Sequence, residues 1–235
     1  MGNVVRRWLP LALIALVTAL TAYVTRALPS PVTVDLRGLL PFSLEPTADV
    51  MPRAIVIVAM PALATAAWIL FTTLRTRAAL GLSRRLFGDV PEALGNPETV
   101  DRIRPTYDTI VLWVVMLILG IHAGMVAAAL GNVSSVPRIV SIVLGVSLMG
   151  IGNVFPRLRP NLIAGVRTRT TLSDPSNWRA VHRVFGVAFV VAGAATVLVG
   201  ILAPSFGVMT AVVCLIVACV IAAVGGASAA VTSGA

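Results

Sequence analysis

Six stretches of 17 to 25 residues contain no Asp, Glu, Lys or Arg: Trp8–Thr25, Ala54–Leu74, Thr109–Gly131, Ile139–Phe155, Val184–Ala203 and Gly207–Val231. A helix rises about 1.5 Å per residue, so about 20 apolar residues cross a hydrocarbon core of ~30 Å. In lipid, every backbone N–H and C=O needs a partner within the chain, which makes continuous runs of this kind helices. The fold class expected is all-α: a polytopic membrane helical bundle with six transmembrane helices. A composition of 58% hydrophobic and 11% charged residues agrees, since soluble domains carry far more charge.

The net charge of +9 comes from 18 basic residues, every one of them arginine. In a soluble protein that excess would suggest nucleic acid; here its distribution points to topology. Two arginines precede the first run (Arg6, Arg7), six lie in the loop 75–108 and six in the loop 156–183. The opposite side holds Arg26, Arg37, Arg53 and Arg138. The positive-inside rule makes the richer side cytoplasmic, with both termini inside and no direct nucleic-acid partner expected. The first run is longer than a secretory h-region and lacks an Ala-x-Ala site, so it is expected to be retained. Arg6 occupies the position where a myristoylation signal needs Ser or Thr.

Three parts are expected along the chain: an N-terminal two-helix hairpin (1–77) with a Pro-rich outer loop, a basic cytoplasmic linker (78–108), and a four-helix membrane domain (109–235) with a loop at 156–183. Pro29, Pro31, Pro41, Pro46 and Pro52 favour extended or turn structure in the outer loop. Asn96-Pro97-Glu98 reads as a helix start. Leu80, Leu82, Leu86 and Phe87 among arginines suggest a segment lying on the anionic leaflet. Gly145 and Gly152, with Ser141 one turn earlier, and Gly186, Gly193 and Gly200 recur by seven. They form stripes on which helices approach closely without a hydrophobic drive. Cys214 and Cys219 read as small packing residues rather than a disulfide or metal pair.

The polar stretch between the fourth and fifth runs is more particular than a connector. Asn153-Val-Phe-Pro-Arg157-Leu-Arg159-Pro-Asn161 is followed by Gly165-Val-Arg167-Thr168 and by Trp178-Arg-Ala-Val-His182-Arg183. Pro156 and Pro160 end the preceding helix, and Arg157 and Arg159 fall on one side of an extended chain, a spacing that Arg167 and Arg169 repeat. Guanidinium groups so placed make a fork-like receptor for carboxylate or phosphate, and equally a positive-inside contact for lipid headgroups. Ser173-Asp174-Pro175 should start a helix carrying Trp178, His182 and Phe185 on one face. Trp178 suits the headgroup level as an anchor, and His182 suits a structural hydrogen bond or a functional one. These residues resemble the SdpI family of bacterial membrane proteins over Asn153 to Gly186. Leu28-Pro-Ser-Pro-Val32 shows a shorter likeness to the domain of unknown function that often precedes that region. Many relatives carry Trp two residues after the Arg-Thr pair, where this chain has Thr170.

The resemblance implies an integral protein of the bacterial cytoplasmic membrane that gives immunity to a secreted peptide toxin or relays its presence. Its implied partners are the bilayer, a peptide outside and an acidic or repressor-like protein inside. The candidate contacts are Asn153, Arg157, Arg159, Asn161, Arg167, Thr168, Trp178, His182 and Arg183. His122 is the intramembrane polar candidate, since an ionisable group inside a span is costly, although a neutral His also pairs across helices. No paired carboxylates, Zn-spaced His/Cys set, triad or P-loop appears in the sequence, so no enzyme, cofactor or metal is expected. A small transporter or channel, or an accessory subunit of a membrane complex, is the alternative.

Overall fold

The computed structural model describes residues 2–34, 49–74 and 97–232. Within them, long helices account for nearly all regular structure: α1 (Gly2–Thr25), α2 (Arg53–Thr73), α3 (Pro97–Ala129), α4 (Val136–Val154), the short α5 (Arg169–Ser173), α6 (Pro175–Leu202) and α7 (Gly207–Thr232). Five segments of the described residues are long and apolar enough to cross a membrane: Arg7–Thr25, Arg53–Thr73, Asp101–Ala129, Val133–Arg157 and Pro175–Leu202. The apolar stretch Pro204–Val220 follows them. This is an all-α integral membrane protein.

The helices form two triangular groups joined along one seam. α1, α2 and α3 pack on one another, α4, α6 and α7 do the same, and α3 against α4 links the groups. The α4–α6 contact is the most extensive in the molecule, and its cause is the absence of side chains. A Cβ on Gly145 would lie 2.6 Å from the Gly193 carbonyl oxygen, and one on Gly152 would lie 2.8 Å from that of Gly186. A Cβ on Gly200 would sit 2.5 Å from the Cβ of Ser141. The two stripes therefore meet backbone to backbone. Where the lipid is as apolar as the side chains, this close approach supplies the dispersion contact that holds helices together.

Turns follow the proline and glycine punctuation. A 3-10 turn (Val133–Ser135) and Pro137 in the first turn of α4 link α3 to α4, while Pro204–Phe206 links α6 to α7. On that side of the bundle, two short antiparallel strands, β1 (Val32–Val34) and β2 (Asp49–Met51), pair with Val32 opposite Met51. Val32 and Val34 are buried against Val56, Ala128, Ala129, Val136 and Val140, so strand β1 packs over the helix ends, while Pro41 and Pro46 lie outside the described residues. Arg53 donates to the Arg26 and Leu28 carbonyls at 2.8 and 3.0 Å, satisfying acceptors at the end of α1 that lack helical partners.

α3 differs in extent from the sequence expectation. It begins at Pro97 and continues unbroken through Pro105 into the span, so the expected local helix and the span are one. The expected leaflet-lying segment, with Leu80, Leu82, Leu86 and Phe87, lies outside the described residues. Cys214 and Cys219 are free thiols, the second exposed on α7.

Candidate functional site

The stretch Asn153–Arg183 folds as a small structure of its own at the end of the bundle where α4 ends and α6 begins. α6 starts at the expected cap. The Asp174 carboxylate accepts the Ser176 amide and hydroxyl at 2.7 Å each, and Pro175 occupies the first turn. The Ser176 hydroxyl and amide, in that order, hold the Asp174 carboxyl below its ordinary pKa, with Arg179 adding a smaller contribution. Charge at this position also complements the positive end of the helix.

One turn into α6, Trp178 is fully buried and its indole N–H donates to the Leu158 carbonyl at 2.8 Å. The ring therefore faces the interior of the loop, not the headgroups where a surface anchor would place it. The carbonyl of Trp178 accepts from His182 Nδ1 at 2.8 Å. A carbonyl can only accept, so Nδ1 carries the hydrogen, and Nε2 is left free to accept the Val166 amide at 3.1 Å. Both nitrogens of His182 are thus committed to backbone groups. Gly165 makes this possible twice over. Its φ of +107° lies in the left-handed region, and a Cβ there would collide with His182 Nε2.

Two further residues shape the chain between the prolines and α5. Asn161 Oδ1 accepts the amides of Ile163 and Ala164 at 2.8 Å, while its Nδ2 donates to the Arg159 carbonyl at 2.7 Å. Arg167 is half-buried and donates to the Leu162 carbonyl. Burial lowers its pKa from the ordinary guanidinium value, with Tyr107 acting the other way. Thr168 caps α5 in a reciprocal box with Thr171, whose hydroxyl also reaches the Val166 carbonyl at 2.8 Å. Arg169 is the first residue of α5.

Beneath these bonds lies an apolar core that the sequence reading missed. Leu158, Leu162, Ile163, Leu172 and Trp178 pack against Ile103, Tyr107 and Val111 of α3. Tyr107 donates to the Phe71 carbonyl at 2.8 Å, tying α2 to the same core. The signal was present as apolar residues recurring in an otherwise polar loop, a pattern that a solvated connector has no use for.

The sequence-derived candidates therefore fall into two sets. Asn161, Arg167, Trp178 and His182 face inward and bond to the loop backbone, while Thr168 is exposed and caps α5. Asn153, Arg157, Arg159 and Arg183 are exposed. Arg157 and Arg159 flank the buried Leu158, whose carbonyl Trp178 holds. The expected extended chain begins only at Leu158, because Phe155–Arg157 forms a 3-10 turn.

Residues 157–228 match the SdpI/YfhL protein family. The matched segment takes in the loop from Arg157, α6 and most of α7, and it agrees with the resemblance carried by the residues from Arg157 onward. The Leu28–Val32 likeness lies outside the matched residues. No curated protein and no solved structure gives a significant match to the chain.

His122 lies outside the matched residues. It is buried in the α3 span, with Nε2 2.9 Å from the Thr21 hydroxyl of α1. Thr18 and Thr25 instead donate to carbonyls one turn back on their own helix. Among the described residues, His122 Nδ1 is buried without a hydrogen-bond partner.

Proposed function

We propose that this SdpI-type membrane protein acts in the bacterial cytoplasmic membrane as an immunity or signalling protein against a secreted peptide toxin. Arg157 and Arg159 would offer the inner contact for an acidic partner. The observation that supports this reading is the way the two arginines are mounted. Both are exposed on either side of Leu158, which is buried and fixed through its carbonyl by the Trp178 indole. Two guanidinium groups on a fixed backbone lose less freedom on meeting a carboxylate pair than two on a mobile loop. The positive-inside rule puts this face in the cytoplasm, where a repressor-like protein would meet it.

Relay across the membrane requires two states that the outer and inner partners bind with different affinity. The strands β1 and β2 lie at the opposite end of the bundle, where a peptide outside would arrive. A channel reading has less support. The groove between α1, α3 and α4 is lined by apolar side chains apart from Ser147, and conduction needs a polar lining.

The test is survival of a sensitive bacterium expressing the chain during challenge with supernatants of toxin-secreting strains. Arg157→Gln combined with Arg159→Gln should abolish protection while the protein still inserts in the membrane fraction. Undiminished protection by that variant would remove the loop arginines from the mechanism.

A further inference from the structure

α6 and α7 leave a groove of ≈ 430 Å³ between them, lined by Arg183, Val184, Val187, Ala188, Val191 and Ala218. Its walls are apolar, and its one charged residue stands at one end. The alanines give it depth, and Val187 and Val191 are 59% and 62% exposed along its edge. From Arg183 to Val191 it follows α6 for about 12 Å at the helical rise. Val184, Val187 and Val191 lie within the span Pro175–Leu202, so the groove opens toward the bilayer.

Arg179 precedes Arg183 by one turn on the same row of α6, and both are exposed. Among the described residues neither makes a salt bridge. Asp174 is close enough to Arg179 to be influenced by it, but the carboxylate oxygens are held by Ser176. An alkyl slot within a span, ending at exposed guanidinium groups, matches a molecule with a hydrocarbon tail and a phosphate at the interface.

We propose that this groove seats one acyl chain of an anionic phospholipid, with the phosphate on Arg183 and Arg179 adding to the attraction. Guanidinium groups bind phosphate through a planar fork, and basic residues at this level favour anionic over zwitterionic headgroups. The site goes beyond the toxin reading and uses arginines other than Arg157 and Arg159.

The experiment offers the purified full chain in detergent equimolar dioleoyl phosphatidylglycerol and dioleoyl phosphatidylcholine, and reads retained lipid by native mass spectrometry. The wild type should retain phosphatidylglycerol preferentially. Replacing Arg179 and Arg183 by Gln should lower that retention by about fivefold per arginine and lower retention of phosphatidylcholine, whose phosphate is offset by its choline, by less. Ala188→Phe, which fills the slot, should lower retention of both lipids. Equal retention of the two lipids by the wild type, or unchanged phosphatidylglycerol retention in R183Q, would overturn the site. Both arginines are exposed, and circular dichroism verifies that the variants keep their helices. The Arg157/Arg159 variant should retain lipid normally, so failure of this site and failure of the toxin reading give different results.

Discussion

Trp178 and His182 stack with ring centroids 4.0 Å apart and planes 18° apart. Each also holds the loop by one hydrogen bond, the indole to the Leu158 carbonyl and the imidazole from the Val166 amide. The pair fastens the loop at two points, one between Pro156 and Pro160 and one beyond Gly165. Trp178→Phe keeps the stacking and strands the Leu158 carbonyl. His182→Phe keeps an aromatic ring and strands the Val166 amide. Each should destabilise the protein by roughly 1–3 kcal/mol, the cost of an orphaned buried polar group. Denaturation in detergent measures the loss, and faster amide exchange at Val166 in H182F locates it.

Asn161 serves three backbone groups at once. Asn161→Asp keeps the oxygen that accepts from Ile163 and Ala164 but loses the donor to Arg159. Asn161→Ala loses all three bonds. The alanine variant should be the less stable of the two by about 1 kcal/mol or more, from the two orphaned amides. Equal stability of the two variants would show that the turn does not depend on the carboxamide oxygen.

Gly193 lies where α4 and α6 touch. A Cβ there would lie 2.7 Å from Met149 Cγ and 2.8 Å from the Met149 amide nitrogen, besides meeting the Gly145 carbonyl. Gly193→Leu should cost about 1–3 kcal/mol or more by overpacking and lower the melting temperature in detergent. Gly131 is a useful contrast. It has open space around it but a φ of +83°, so Gly131→Ala should cost about 1–2 kcal/mol through backbone conformation alone.

The Thr21–His122 bond joins α1 to α3 inside the membrane. A double-mutant cycle with Thr21→Val and His122→Leu should give a coupling of about 0.6 kcal/mol, and no more than about 1.7 kcal/mol, the range found for such bonds in membranes. Additive single effects would mean that the contact adds nothing to helix association.

The Asp174 cap carries a pH signature. Its carboxyl pKa is held down in the folded protein, so the folded state binds the proton less readily than the unfolded chain does. The stabilisation is therefore present above the ordinary aspartate value of about 3.9 and is lost as pH falls from there through the folded value. Melting curves from pH 6 downward should show this loss in the wild type, and Asp174→Asn should lack that component. Identical pH profiles would assign the acid sensitivity elsewhere.

How much of this was legible in the sequence depends on how far apart the interacting groups lie. The spans, the Asp174-Pro175 helix start and the glycine register are set by neighbours within two helical turns, and the pattern of residues carries them. The direction taken by each side chain of the loop is another matter. Arg167 turns inward to the Leu162 carbonyl, and a backbone acceptor has no residue identity to read. Trp178 was expected among headgroups because indoles favour that level, but Ile103 and Tyr107, far upstream on α3, supply the apolar surface that buries it. Tyr107 lay in the stretch just before the third run and carried no motif at all. The outward direction of Arg157 and Arg159 likewise follows from the burial of Leu158, which only the folded loop reveals.

The seam between α4 and α6 bears on what can be treated as a module. The family match opens at Arg157, after α4 has ended, yet the glycines of α6 fit against Ser141, Gly145, Met149 and Gly152 of α4. The recognisable unit and the folding unit are thus out of step by one helix. A graft or truncation that starts at the motif would leave Gly186, Gly193 and Gly200 as a bare furrow facing lipid. One that starts at Val136 would carry the matching half of the seam with it.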